Sequence, residues 1–143
     1  MKRFSFSLER ILDLRAFREK EAEFALGKAV SERERISLKL QEIAQKRVTS
    51  SRERSPSASM GELIAIERYI QRLDADKERR LEELAAAELV VERKRAEYVE
   101  ATKERRVLTK LREKKVSVWK TERARDEAET LDDISNTRDR SDG

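Results

Sequence analysis

One seven-residue spacing runs without slippage through more than a third of this chain. Leu63, Ile70, Lys77, Leu84, Val91, Tyr98, Arg105, Arg112 and Trp119 fall seven apart. Their companions, three residues on, are Ile66, Leu73, Arg80, Ala87, Lys94, Ala101, Leu108 and Lys115. A 3–4 repeat held this long makes a narrow stripe on one helix face, and the stripe must be covered by another helix. No Gly or Pro lies inside it. At about 1.5 Å per residue the predicted helix is roughly 85 Å long. Lys77, Arg80, Lys94 and Arg105 occupy core-type positions, so the seam is loose rather than a tight zipper.

A second stripe precedes it. Ala22, Ala29, Ile36 and Ile43 recur every seven residues, and Leu12, Leu26 and Leu40 support the same face, with Leu8, Ile11 and Ala25 extending it. The spacing predicts helix one over residues 4–48, with Ser5 or Ser7 as its cap. Between the stripes lies "TSSRERSPSASMGE", with five Ser and the only Pro. It reads as a turn over 49–60. Ser59 followed by Glu62 has the form of a capping box that would start helix two. Helix two is predicted over 61–125.

Two long helices with a short turn fold back on each other. The fold class is all-α: an antiparallel two-helix coiled-coil hairpin with an extended C-terminal helix. With the turn centred near residue 56, contacting residues have numbers that sum to about 112. Ile43 then meets Tyr69 or Ile70, and Phe4 meets Leu108. Helix one ends there, so helix two is expected to overhang from about residue 109. The final stretch, residues 126–143, carries seven acids against two bases. Such an acidic, apolar-poor composition predicts a disordered tail.

Composition fits a thin seam, not a globule: 45% of residues are charged and seven are aromatic. Ala, Glu, Lys, Leu and Arg dominate, as in long helices. Without Cys or His the chain lacks thiolate chemistry and the commonest general base and metal ligand. Neither phosphate-loop pattern, GxxxxGK[ST] or GxGxxG, occurs. The expectation is a non-enzyme with no cofactor. No apolar run is long enough to span a bilayer, and "MKRFSFSLERILDLR" lacks the apolar core of a signal peptide. These features predict a cytoplasmic protein without direct membrane insertion.

The segment "ATKERRVLTKLREKK", residues 101–115, holds seven bases and two acids around Val107, Leu108 and Leu111. Three readings are open. It is a phosphate-binding arm, a solvated face, or a docking surface for an acidic protein rim. No Asn or aromatic ladder reads bases, and a basic-region zipper would place the cations directly before a parallel coil. The residues favour docking, without nucleic acid. Trp119, in register with the seam, either docks a partner or buries against a second copy. Tyr69 is either a rim residue of the seam or an aromatic anchor near the turn.

Three segments, "FSFSLERILDLR", "YIQRLDADKERR" and "EYVEATKERRVLTKLREKK", occur in the same order as counterparts in a known family. With the two-helix layout they make the chain resemble the FliJ family of the bacterial flagellar protein export apparatus over most of residues 4–125. The resemblance implies an antiparallel coiled coil, similar in shape to the stalk of rotary ATPases, with no catalytic activity. It implies that the end carrying both termini docks in the hexameric ring of the export ATPase FliI. The region after the turn would contact the cytoplasmic domain of the export gate protein FlhA. A role in handling export chaperones and a peripheral place at the cytoplasmic face of the basal body also follow from it. Ring docking is assigned to Arg105, Arg106, Leu108, Lys110, Leu111, Arg112, Lys115 and Trp119. Gate binding falls to Tyr69, Ile70, Gln71 and Leu73. Where the family carries Phe at the first of these, this chain has Tyr69; where it carries Ala and His, Asp76 and Arg80 stand.

Overall fold

The computed structural model describes residues 3–142. Two helices account for nearly all of them: α1, Glu9–Arg52, and α2, Met60–Asp142. They pack against each other as an all-α hairpin, with no strand among the described residues. The chain divides into two compact units. One takes the residues up to Glu19 and those from Glu100 onward; the other is Lys20–Val99.

In the Lys20–Val99 unit the core is the expected double stripe. Ile36, Ile43, Ile70, Leu73, Ala87 and Val91 are buried, Val91 to 2% exposure. Ala22, Leu26, Ala29, Leu40, Leu63, Ile66 and Leu84 are half-buried along the same faces. Ser50, seven residues after Ile43, is buried as well. The stripe therefore outlasts its apolar residues by one heptad, and α1 runs to Arg52 rather than 48. Thr49 and Ser50 do not end it: the Thr49 hydroxyl donates to the Gln45 carbonyl at 3.0 Å, inside the helix. What ends it is Pro56, which disfavours helical backbone at Ser55. The Ser57 amide donates to Ser55 Oγ at 3.2 Å, and the Ala58 amide to the Ser55 carbonyl at 3.0 Å. Those bonds close the turn. The Glu62 amide then donates to Ser59 Oγ at 3.2 Å, which caps α2 as its sequence predicts.

The register differs from the expectation. Arg47 pairs with Asp74 at 2.8 Å, whereas a turn centred on residue 56 would have set it opposite Ala65, nine positions earlier. Arg54, in the turn itself, pairs with Glu67. The turn residues lie back along the first turns of α2, so α2 begins beyond the last turn of α1. A centre taken from residue numbers assumes a symmetric turn, and this one is not.

The other unit carries the same shift: Glu9 pairs with Arg112 at 2.9 Å. Here α1 starts at Glu9, not at Phe4: the "FSF" segment is non-helical and Ser7–Leu8 form a turn. In a helix, side chains two apart diverge. Phe6 is buried and Phe4 half-buried. A non-helical start uses both rings, and the Glu9 amide donates to the Phe6 carbonyl at 3.1 Å to begin α1.

Two further differences follow. The expected overhang from residue 109 does not begin there: Phe4 reaches Trp119, with ring centroids 6.0 Å apart. The same shift of register that sets Arg47 against Asp74 carries α2 nine positions further along α1 and accounts for most of this reach. And α2 does not stop at 125 but continues through Asp142. Neither Gly nor Pro interrupts it after Gly61 until Gly143. Arg123 pairs with Glu127 at 3.2 Å one turn on, and the Thr130 and Thr137 hydroxyls donate to carbonyls four residues back. Residues 120–141 are all exposed.

Candidate functional site

In the unit holding residues 100–142, the basic run divides by helix face. Arg105, Leu108, Arg112 and Trp119 point into the packing. Leu108 is 6% exposed. Arg105 donates to Glu19 at 2.8 Å, and Arg112 donates to Glu9 while lying over the Phe4 ring, 5.3 Å from its centroid. Trp119 meets Phe4 edge to face at 62°, and Arg123 lies over Trp119 at 5.4 Å. The result is a pair of rings flanked by two cations, Arg112–Phe4–Trp119–Arg123. Each such contact stabilises by about 0.5–1 kcal/mol at a wet site. Open grooves flank the stack. One is lined by Phe4, Trp119, Asp126 and Leu131; the other by Ser5, Leu111, Val118 and Trp119.

Arg106, Lys110 and Lys115 are exposed, and so are Lys103 and Lys114, which the sequence assignment did not include. None of these five makes an ion pair with another described residue. Leu111 is half-buried. The eight expected ring-docking residues are thus not one surface. Three cations face solvent; the others bind the two helices together or, like Leu111, border the seam. The distinction was available in the sequence only through the pairing of Glu9 and Glu19 across the hairpin, which depends on register.

The Lys20–Val99 unit places the expected gate residues on two sides of α2. Ile70 is 3% exposed and Leu73 7%; both belong to the seam. Tyr69 and Gln71 are exposed. Arg72 lies over the Tyr69 ring at 5.9 Å. Gln71 lines a shallow groove with Arg68, Arg72 and Ala75. The exposed patch after the turn is therefore one aromatic ring, one amide and two guanidiniums. Arg68 and Arg72 were missed because a charged residue on a charged helix carries no signal of its own. Nearby, the Arg47 guanidinium hydrogen-bonded to Asp74 holds that carboxyl below the ordinary aspartate value. Arg79 does the same for Asp76.

Among the described residues no group of His, Cys, Asp or Glu could hold a metal ion, and no helix is long and apolar enough to cross a membrane. Both surfaces offer charge, rings and shallow relief, which suit protein docking.

The profile of the flagellar FliJ protein family matches residues 4–141. Comparison with curated proteins and with solved structures returned no match.

Proposed function

This chain belongs to the FliJ family, a flagellar export family, and from that premise we propose that it is the coiled-coil stalk of the export apparatus. It docks by the end carrying Phe4 and Trp119 to the export ATPase ring of FliI, promotes ring assembly and activity, and couples the ring to the gate protein FlhA. The handling of export chaperones belongs to the same proposal. The observation that carries it is the split of the basic run: a ring–cation stack ties the hairpin end together, and Arg106, Lys110 and Lys115 stand outward. A braced cationic end suits an acidic lumen, because charges on a fixed frame lose little entropy on docking. In this reading Arg105, Leu108, Arg112 and Trp119 brace the end while the exposed lysines and Arg106 make contact, with Leu111 at the edge. On the gate side, Tyr69 and Gln71 make contact, and Ile70 and Leu73 hold that surface in place.

The test is the hydrolysis rate of the same organism's export ATPase, titrated with the full chain. Saturable stimulation is expected for the wild type, with stimulation weakened by Arg106→Glu plus Lys110→Glu at unchanged helical content. Equal stimulation by the variant removes the docking face; no stimulation by either chain removes the stalk reading. Truncation near residue 104 is unsuitable, since it deletes the partners of Glu9, Glu19 and Phe4.

A further inference from the structure

Two arginines early in α2 have no carboxylate, in a stretch where every neighbouring acid is already engaged. Arg68 and Arg72 are exposed, and neither makes an ion pair with another described residue. The acids within four positions of one or the other are Glu67, Asp74 and Asp76. Glu67 is paired with Arg54, and Asp74 with Arg47. Asp76 holds Arg79 at 2.7 Å and lies 3.6 Å from Arg80. The arginines that brace this part of the hairpin are satisfied, and the two that face solvent are not. Like charges four residues apart weaken the helix that carries them. The pair therefore does nothing for α2 itself.

The side chains around the pair describe what fits it. Steps of three, four and seven set Ile64, Arg68, Gln71, Arg72 and Ala75 along one stripe, turned away from the buried Ile70 and Leu73. Ile64 is 46% exposed at one end of the stripe, and Ala75 is exposed at the other. Arg68, Gln71, Arg72 and Ala75 line the shallow groove between. At about 1.5 Å per residue the stripe is about 16 Å long, and it is one helix wide. Each guanidinium presents a planar fork that binds a carboxylate through two parallel hydrogen bonds. Arg72 is already held over the Tyr69 ring at 5.9 Å, so it loses less freedom on binding. The Gln71 amide adds a donor and an acceptor beside the forks.

We propose that Arg68 and Arg72 form a carboxylate clamp that receives an acidic helix of the partner protein at the gate end. The proposal rests on the gate-binding reading and names what that surface recognises. The partner helix carries two carboxylates four residues apart, the spacing of the two guanidiniums, with apolar side chains before and after them to cover Ile64 and Ala75. The small side chain of Ala75 lets the partner approach closely. Tyr69 then serves as the platform that holds Arg72 in place. The contact is ionic at its centre, so added salt weakens it. Lysine cannot replace either arginine without loss, because it keeps the charge and lacks the fork.

The test is titration of the full chain against the gate protein's cytoplasmic domain, at about 0.1 M and at about 1 M salt, where the screening length falls from about 10 Å to about 3 Å. Two double variants are compared with the wild type: Arg68→Gln with Arg72→Gln, and Arg68→Lys with Arg72→Lys. Circular dichroism and urea titration check the fold, and the glutamine variant should unfold no earlier than the wild type, since a like-charge pair is gone. At the lower salt the glutamine variant is expected to bind about tenfold more weakly or worse, as for truncating central interface arginines. It should also lose less of its remaining affinity to salt than the wild type does. The lysine variant should fall between the two. Wild-type affinity in the glutamine variant overturns the clamp and leaves gate binding standing. No binding by the wild type removes the gate reading and the clamp with it. A lysine variant equal to the wild type means undirected charge, and an earlier urea midpoint in the glutamine variant means a role in the fold; either overturns the clamp. So does a glutamine variant that keeps its gate affinity but loses binding to duplex DNA, which would give the pair to phosphate.

Discussion

Phe4 stands edge-on to Trp119 at 6.0 Å, and this contact closes the hairpin where the heptad count had left α2 uncovered. Trp119 is the only Trp in the chain, so its fluorescence reports on this end alone. Phe4→Ala is expected to red-shift the emission and to cost about 1 kcal/mol, the usual worth of an aromatic pair with a neighbouring cation. Helical content should hold, because Phe4 lies outside α1. Unchanged emission would mean that the ring contact does not persist in solution.

Arg80 sits at a seam position with its Nε buried and without a hydrogen-bond partner. It is held by two carboxylates: Nη1 donates to Glu83 at 3.0 Å, and Nε lies 3.6 Å from Asp76 Oδ1, within ion-pair range but too far for a hydrogen bond. A buried donor without a hydrogen bond costs about 1–3 kcal/mol, and the part-exposed ion pairs with Asp76 and Glu83 return less than that. Arg80→Leu should therefore raise stability by about 1 kcal/mol, seen as a higher midpoint in a urea titration with an unchanged slope. A lowered midpoint would mean that the guanidinium is worth more to the seam than a leucine.

The stripe positions, the cap at Ser59 and the hairpin itself were legible in the sequence, because spacing and capping are local properties. Ile36, Ile43, Ile70, Leu73, Ala87 and Val91 are buried where the seven-residue count put them. The register was not legible. It depends on how residues 53–59 lie against α2, and the Arg54–Glu67 pair that records this is one of many possible charge pairs. The non-helical Phe4–Phe6 start was hidden for a related reason. The Phe4 ring meets Arg112 and Trp119 of α2, partners the sequence cannot place until the register is known. The candidate site inherited that error. With α1 ending opposite Leu108, Arg112 and Trp119 looked free for a partner, while in the fold they meet Glu9 and Phe4.

The Arg47–Asp74 pair fixes register and also gives a pH dependence. Asp74 titrates below the ordinary aspartate value in the folded chain, through its hydrogen bond from Arg47. Its contribution is therefore complete above the ordinary value and is lost as pH falls through the depressed folded one. The same direction holds for Asp76 beside Arg79 and for Glu32 beside Arg35. These groups lie at the surface, so the effect is small for each. Melting curves of wild type and Asp74→Asn should differ near neutral pH and converge on acidification below the carboxylate range. A gap that stays constant with pH would assign the difference to packing, not to charge.

Ile70 and Tyr69 are neighbours in sequence and opposites in the fold. Ile70 is 3% exposed; Tyr69 is 37% exposed and carries Arg72 over its ring. Ile70→Ala opens a cavity in a seam too thin to relax fully and is expected to cost about 2–3 kcal/mol. Tyr69→Ala removes only surface and should change stability by less than about 0.5 kcal/mol. Binding to the gate protein's cytoplasmic domain should respond differently. Tyr69→Ala, with its fold intact, is expected to lose affinity outright, while Ile70→Ala loses it only to the extent that helix content falls at the assay temperature. Denaturation and binding on the same two variants separate the roles. If Tyr69→Ala binds as the wild type does, the exposed patch of Gln71, Arg68 and Arg72 is not a gate contact through this ring. If Ile70→Ala lowers affinity at full helicity, the seam residue itself touches the partner and must turn outward to do so.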